Sequence, residues 1–208
     1  MYYIFSEGQV SLVFILDDCF EFTDSMHTIT GIDTRLSFAE GPNGASGGSV
    51  MFSESSNLII PNEEENFFSV TIQINVFVPK TQNTPIVKFN PSGLGVGIYQ
   101  EGLDIRFEVP AAGSDGDSNP LRTTNFALTA NTWNPIAVTY DFTTGNRQIF
   151  IDGSLVANDS LSALTMVAVS GSVRLGGDDF TGNMACLQIY DTAQNSSWIA
   201  DIKCPIGM

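Results

Sequence analysis

The sequence is poor in basic residues and contains no long apolar segment. Only 8 of its 208 residues are lysine or arginine, against 23 aspartate and glutamate residues, so the formal net charge is −15. A field of this sign repels phosphate backbones and anionic headgroups, which excludes nucleic acid as the expected partner and argues against an acidic lipid surface. The longest apolar run, Leu12–Leu16, is far shorter than the roughly 20 residues that cross a bilayer. The sequence therefore predicts no membrane span.

Cysteine and histidine are also scarce. Three cysteines leave one unpaired after any internal bridge. The single histidine, His27, has no evident cysteine or serine partner and is interpreted as a loop residue rather than a general base. Zinc sites need cysteine and histidine ligands, whereas calcium takes the oxygen ligands that are plentiful in this chain. Among metal cofactors, the composition favours calcium.

The rest of the composition indicates one folded unit. Hydrophobic residues make up 43% of the chain and charged residues 15%, which predicts a packed core. No linker divides residues 19–208, which are predicted to form one domain. Residues 1–18 stay unassigned, because their apolar stretch suits an extra strand as well as a signal remnant. Asn158 and Asn195 each begin an N-glycosylation acceptor pattern, which fits an extracellular or secreted protein.

Alternation of apolar and polar residues is the dominant pattern. In Phe67–Val78, every second residue from Phe68 onward is apolar and the residues between them are polar. This period of two predicts a long strand with one buried face. Further short runs of the same kind are separated by turn residues, and a capped segment, Ser196–Lys203, predicts one short helix. Without alternating strands and helices, the chain is predicted to be all-β, a two-sheet antiparallel jelly-roll sandwich with one short C-terminal helix.

Four segments, taken in order, resemble one known family. The stretch that begins at Thr132 reads TWNPIAVTYDFTTGNRQIFIDG, and the stretch from Val173 reads VRLGGDDFTGNMACLQIYDTAQNSSWI. Together with GPNGASGGSVMFSESSNLIIPN and LDIRFEVP, they resemble the laminin-G-like and pentraxin-like jelly rolls of the concanavalin A-like lectin/glucanase superfamily. The resemblance covers Cys19–Cys204. It implies a non-catalytic extracellular recognition module that binds a glycan or a protein partner.

The resemblance also implies a calcium site. The Asp-Asn pair that binds calcium in pentraxins would fall on Gln82 and Asn83, and the pentraxin acidic cluster would fall near Asp178 and Asp179. The longer pentraxin loop is missing after these residues, so a single site at Asn83, Asp178 and Asp179 is the expectation.

A second calcium candidate comes from the spacing of oxygen ligands. Asp115, Asp117 and Asn119 alternate along the chain as in the first half of a calcium loop, although Pro120 stands where a glycine turn would be. The alternative interpretation is an Asx-rich loop without a metal.

The resemblance further implies a disulfide bond between Cys186 and Cys204, which would attach the terminal helix to the last strand. The rival pairing is Cys19–Cys186, because the first strand of such sandwiches runs beside the last one. An unpaired Cys19 would be free or would join another chain.

The carboxylates are not arranged for glycoside hydrolysis. Retaining enzymes hold two carboxylates about 5–5.5 Å apart, whereas Asp104 and Glu108 share a strand face at four residues, roughly 13 Å. The cluster Glu63–Glu65 lies in a turn, where consecutive side chains point apart. A glucanase-type hydrolase is therefore the least favoured interpretation, and we expect no enzyme activity.

Other side chains receive structural or binding interpretations. Trp133 is predicted to anchor the core, while Asp141 and Asp152 are predicted to close turns. Exposed aromatic residues that could stack on sugar rings are Tyr99, Phe126 and Phe180. A different function also fits the charge of −15, namely an acidic structural matrix, adhesion or mineral-associated protein.

Overall fold

The computed structural model describes residues 2–3, 11–14, 35–62, 68–90, 95–110, 119–161 and 171–201. These residues form fifteen strands and one helix: β1 (Tyr2–Tyr3), β2 (Ser11–Phe14), β3 (Ser37–Ala39), β4 (Ser49–Phe52), β5 (Asn57–Asn62), β6 (Val70–Phe77), β7 (Gln82–Phe89), β8 (Gly97–Gly102), β9 (Asp104–Glu108), β10 (Leu121–Arg122), β11 (Trp133–Tyr140), β12 (Asn146–Ile151), β13 (Ser154–Ser160), β14 (Gly171–Gly176), β15 (Gly182–Tyr190) and α1 (Ser196–Asp201). The predicted all-β class with a short C-terminal helix is confirmed. In this part of the chain, no helix is long and apolar enough to cross a bilayer.

The strands form two antiparallel sheets. The nine-stranded sheet has the order β1-β2-β15-β6-β11-β12-β13, and β4 joins β3 to the side of β15. The six-stranded sheet has the order β10-β9-β8-β7-β14-β5. Non-consecutive neighbours such as β15 and β6 show that the chain crosses repeatedly between layers, as in a jelly roll. The predicted two-sheet sandwich is therefore confirmed.

Both sheets contribute alternate side chains to one core. Ile72 and Ile74 of the nine-stranded sheet, and Ile98 and Phe107 of the six-stranded sheet, are each fully buried in the same apolar cluster. Burying such side chains stabilises the fold by about 1.5–3 kcal/mol each. Because the side-chain period of a strand is two, the residues between these positions on β8 and β9 must point outward.

Strand β6 departs from its predicted half-buried pattern at two places. Phe68, expected on the core face, precedes the strand and is 59% exposed. On the opposite face, Thr71, Gln73 and Asn75 are buried rather than solvated. The Thr71 hydroxyl donates a hydrogen bond to the carbonyl of Thr192, so the segment after β15 packs over this face of the strand.

Helix α1 packs on the outward side of the nine-stranded sheet. Ile199 is buried against Ala137 and Phe150, and the Trp198 ring meets the Tyr190 ring edge-on at 4.6 Å. The Oδ1 atom of Asn195 accepts a hydrogen bond from the Trp198 amide at 2.9 Å, which is the predicted N-cap.

Strands β3, β10 and β13 were not foreseen. Residues 154–160, which form β13, lack a clear alternation, but the preceding turn brings them back along β12. Asp152 and Gly153 adopt φ values of 50° and 71°, as a two-residue type I′ hairpin requires, so the predicted turn role of Asp152 is confirmed. Strands β1 and β2 lie within the unassigned residues 1–18, and β2 pairs with β15.

Candidate functional site

Half of the basic residues of this acidic chain lie on one sheet face. Four of the eight lysine and arginine residues project from the outward side of the six-stranded sheet, where they alternate with core positions. Three further polar side chains of β8 and β9 lie among them. We call this surface the outer face; it comprises Lys88, Tyr99, Glu101, Arg106, Glu108, Arg122 and Arg174.

Tyr99 lies at the centre of the outer face. Its ring lies above Gly97, because a Cβ atom added there would be 2.5 Å from the ring. The Arg106 guanidinium is 4.1 Å from the ring centroid, and the Tyr99 hydroxyl donates a hydrogen bond to Glu108. Burial, followed by the charge and hydrogen bond of Glu108, raises the pKa of Tyr99 well above its usual value. The ring is thus held neutral in one position by contacts on several sides.

Glu101 joins the two arginines that face each other across β9 and β10. Register places Arg106 opposite Arg122. Glu101 Oε2 accepts a hydrogen bond from Arg122 Nε at 2.9 Å, and Glu101 Oε1 lies 3.0 Å from Arg106 Nε as an ion pair. Arg106 also pairs with Glu108. The carboxylates of Glu101 and Glu108 offset the repulsion that two directly opposed cations would otherwise cause.

Lys88 and Arg174 form a second opposed basic pair, on β7 and β14. The Arg174 guanidinium lies against Gly177 and donates a hydrogen bond to Asp178 Oδ2 at 2.8 Å. The Nε atom of Arg174 is buried and has no hydrogen-bond partner among the described residues. Among the residues that the structure describes, no carboxylate lies within ion-pair distance of Lys88. This pair is therefore less neutralised than Arg106 and Arg122.

A rigid turn presents Phe126 beside the outer face. Asn125 and Phe126 adopt φ values of 68° and 60°, which L-residues rarely take. The turn is anchored to β9, because Asp104 Oδ1 accepts hydrogen bonds from the Thr123 hydroxyl at 2.9 Å and the Ala127 amide at 3.2 Å. Phe126 itself is 74% exposed. A bulky apolar side chain held at positive φ in water makes Phe126 a candidate contact residue.

The other two predicted stacking residues occupy different environments. Phe180 is fully buried and meets the Phe52 ring edge-on at 5.8 Å, so its prediction as an exposed aromatic was wrong. The reason is that the acidic turn before it directs the ring into the core. Tyr99 is only partly exposed beneath Arg106, so Phe126 is the most exposed of the three predicted stacking residues.

Two of the three residues of the first predicted calcium site, Asp178 and Asp179, lie on a turn beside the start of β7. Gln82 donates a hydrogen bond to the Thr181 carbonyl at 3.0 Å and accepts one from its amide at 3.1 Å, so the start of β7 lies beside the turn that contains Asp178 and Asp179. Asp178 pairs with Arg174, and Asp179 accepts a hydrogen bond from the Ser55 hydroxyl at 3.2 Å.

Asn83 is also engaged, since its Oδ1 atom accepts a hydrogen bond from the Gly102 amide at 3.0 Å. Calcium at this turn would have to draw Asp178 away from a guanidinium that already neutralises it. Among the described residues, no group of three histidine, cysteine, aspartate or glutamate side chains is arranged to hold a metal ion.

The remaining predicted sites fall partly outside the described residues. Asp115 and Asp117 lie outside them, while the carbonyl of Asn119 accepts a hydrogen bond from Arg147 at 2.7 Å. His27, Glu63–Glu65, Cys19 and Cys204 also lie outside. Cys186 is buried on β15 and is disulfide-bonded. Because both candidate partners lie outside the described residues, its pairing with Cys204 stays a prediction. Asn158 on β13 and Asn195 before α1 are both exposed.

The carboxylates on the outer face, and Asp104 beside it, have structural partners. Glu101 and Glu108 both pair with Arg106, and Asp104 accepts hydrogen bonds from the Phe126 turn. These contacts fit carboxylates that position cations and a turn. As a whole, the outer face offers guanidinium, ammonium and carboxylate groups, a tyrosine and an exposed phenylalanine, which suits hydrogen bonding to a polar ligand.

The outer face was missed by the sequence analysis because its residues are distant in the chain. Tyr99 and Glu101 alternate with core residues, as do Arg106 and Glu108, and this alternation could have assigned them to an outward face. Their mutual contacts depend on the register of β8 against β9, which places Tyr99 opposite Arg106. No local pattern encodes that register.

Comparison with known proteins identifies the family. A family model of the laminin G type, described as part of the concanavalin A-like lectin/glucanases superfamily, matches residues 46–200. The chain belongs to this family. No curated protein is significantly similar to it in sequence.

Solved structures of similar fold place this laminin-G-type chain among jelly-roll domains. The binding domain of Paraclostridial Mosquitocidal Protein 1 matches with a TM-score of 0.68 and 16% identity over 82% of this chain and 45% of that one. The binding domain of botulinum neurotoxin serotype G matches with a TM-score of 0.67 and 15% identity over 94% of this chain and 46% of that one. The receptor binding domain of botulinum neurotoxin D matches with a TM-score of 0.62 and 13% identity over 93% of this chain and 47% of that one. The chain thus spans less than half the length of these domains, and the likeness shows the fold.

Proposed function

We propose that the protein is a non-catalytic recognition module that binds a glycan or an extracellular protein partner through the outer face. The observation that carries the proposal is the ordered network of Tyr99, Arg106 and Glu108. A network whose hydrogen-bonding groups are fixed before binding loses little entropy when a ligand arrives. The structural relatives described above, which are binding and receptor-binding domains, support the same class of function.

A glycan is the favoured partner class. Protein interfaces usually contain a fully desolvated core of apolar side chains. The outer face is made of charged groups and one tyrosine, with Phe126 at its margin. Saccharides match this composition because their hydroxyl groups accept and donate hydrogen bonds to charged side chains and their carbon faces stack on aromatic rings.

A glycan array with matched variants tests the proposal. Arg106→Gln removes the charge at the centre of the outer face, and Arg35→Gln, an exposed arginine outside it, serves as the control. We expect saccharide binding by the wild type and the control, and at least a tenfold loss with Arg106→Gln. Equal binding by all three proteins would contradict the assignment of the outer face.

Calcium belongs to the same proposal as a candidate cofactor. The turn with Asp178 and Asp179 lies beside the start of β7, where Gln82 bonds to Thr181, and both aspartates are exposed. Calorimetric titration with calcium, repeated on Asp179→Asn, tests the site. A saturable heat signal that the variant abolishes supports it, and a signal that the variant retains, or no signal at all, overturns it.

An extracellular location is also proposed. Cys186 is disulfide-bonded, which suits an oxidising compartment, and the acceptor residues Asn158 and Asn195 are exposed. Secretion from eukaryotic cells followed by mass spectrometry would detect glycans on either asparagine. Mapping the non-reduced peptides would also decide between Cys204 and Cys19 as the partner of Cys186.

The net charge favours one alternative function, an acidic matrix, adhesion or mineral-associated protein. In that case binding would be broad and would fall steeply with salt. Adsorption to a calcium mineral, measured beside the glycan array, separates the two functions. Mineral adsorption without selective saccharide binding would favour the alternative.

A further inference from the structure

The Lys88–Arg174 pair has an unusual position for a chain of this charge. Acidic residues outnumber basic ones by nearly three to one, yet two of the eight basic residues lie directly opposite each other on adjacent strands. Like charges in this position destabilise a sheet. Asp178 partly offsets Arg174 from the adjoining turn, but its own side chain is 65% exposed.

The unsatisfied groups of this pair point to an anion. Among the described residues, Arg174 forms an ion pair with the exposed Asp178 alone, and Lys88 has no carboxylate within ion-pair distance. An oxygen anion above the two strands would neutralise the Arg174 guanidinium and the Lys88 ammonium together through charge-assisted hydrogen bonds.

The surroundings restrict the kind of anion. The net charge of −15 repels a polyanion, which extends over many acidic side chains. A singly charged group bound next to two cations is screened from acidic side chains that lie more than about 8 Å away. Gly97 lies opposite Lys88 and carries no side chain, and the Tyr99 ring lies over it. A sugar ring that extends from the anion would therefore meet Tyr99 and Arg106.

We infer that the outer face binds an acidic saccharide, with a carboxylate or sulfate substituent held between Lys88 and Arg174. This inference rests on the proposed function and specifies its ligand class. Lys88 and Arg174 supply the charge selectivity, while Tyr99 and Arg106 contact the ring of the same or the next sugar. Neutral saccharides that lack the substituent leave the basic pair unsatisfied and bind more weakly.

The test uses a glycan array that pairs each uronate with its reduced neutral form and each sulfated saccharide with its unsulfated form. The proteins are the wild type, Lys88→Gln, and the control Lys80→Gln, whose lysine lies outside the outer face and pairs with Glu54 at 3.9 Å. We expect the wild type and the control to prefer acidic members at least tenfold. Lys88→Gln should lose most of that preference.

Each result has a definite meaning. Preference for uronates alone or for sulfated members alone identifies the source of the anion and supports the inference. Binding to neutral and acidic forms alike, in all three proteins, overturns the inference and leaves the proposed glycan function intact. Absence of binding to any saccharide overturns both.

Stability gives a second readout that needs no saccharide. Because Lys88 opposes Arg174, Lys88→Gln should leave the midpoint of thermal unfolding unchanged or raise it, and an anion such as sulfate should stabilise the wild type more than the variant. A lysine with a merely structural role would give the opposite result, a lower midpoint. That outcome would overturn the assignment of Lys88 to a ligand.

Discussion

Arg147 and Asp159 form a doubly hydrogen-bonded ion pair between β12 and β13. Arg147 Nε donates to Asp159 Oδ1 at 2.9 Å and Nη2 donates to Oδ2 at 2.6 Å, while Nη2 also reaches the Asn119 carbonyl at 2.7 Å. The side chain of Arg147 is fully buried and that of Asp159 is 32% exposed. The pair thus ties the last strands of the nine-stranded sheet to the chain that enters β10.

Removing the carboxylate of this pair should destabilise the protein strongly. Asp159→Asn removes the carboxylate that pairs with a buried guanidinium, and we expect the free energy of unfolding to fall by about 3 kcal/mol, near the lower end of the range for broken buried pairs. Urea denaturation measures the change. The control is Glu54→Gln at the exposed pair with Lys80, which should change stability by less than about 0.5 kcal/mol. Equal effects of the two substitutions would contradict the structural role of Arg147.

Two phenylalanines that look alike in sequence should behave differently on truncation. Phe180→Ala removes a fully buried ring and should cost about 3–5 kcal/mol of stability. Phe126→Ala removes an exposed ring and should change stability by less than about 0.5 kcal/mol, while weakening saccharide binding roughly tenfold through lost stacking. Thermal unfolding and the glycan array measure both quantities. Undiminished saccharide binding by Phe126→Ala would exclude Phe126 from the ligand contact.

Asp141 should make stability depend on pH in the acidic range. Partial burial opposes its ionisation, but hydrogen bonds from Thr143 and Thr144 outweigh burial and lower its pKa below the usual 3.8. Its stabilisation is therefore complete above the unfolded pKa and is lost as pH falls through the lower folded pKa. We expect Asp141→Asn to cost about 1 kcal/mol at pH 7, and this difference should shrink below pH 3.8. A difference that stays constant down to pH 2 would contradict the turn network.

Gly97 should be required for the position of Tyr99. A Cβ atom at residue 97 would lie 2.5 Å from the Tyr99 ring, so Gly97→Ala must move the ring away from Arg106 and Glu108. Spectrophotometric titration should then find the pKa of Tyr99 lowered toward its ordinary value of 10.0. Tyr99→Phe, which keeps the ring and lacks the hydroxyl, identifies the Tyr99 signal. An unchanged titration curve in Gly97→Ala would show that the ring is not held over residue 97.

The sequence was sufficient to predict the class of fold but not every strand. Period-two runs correctly predicted the strands around Val70–Phe77 and Trp133–Tyr140, because each places apolar residues on a face that the core covers. Strand β13 was missed, since its pairing with β12 is imposed by the type I′ turn at Asp152 rather than by alternation. The buried polar face of β6 was missed because the covering segment is distant in the chain.

The candidate site was harder to predict than the fold. Outward residues such as Arg106 can be recognised from the alternation of β9, yet its contacts with Tyr99 and Glu101 depend on three-dimensional register. The burial of Phe180 shows the converse difficulty, because polar turn residues surround an aromatic ring that points into the core. Local sequence reports which face a residue occupies and does not report its neighbours.

Chemical-shift mapping tests the central assignment most directly. Amide signals of isotope-labelled protein would be recorded during titration with the saccharide that binds best on the array. The account predicts that the shifted signals cluster on β7, β8, β9, β10 and β14, with the largest changes near Tyr99 and Arg106. Shifts confined to β11, β12 and β13 of the opposite sheet would contradict it.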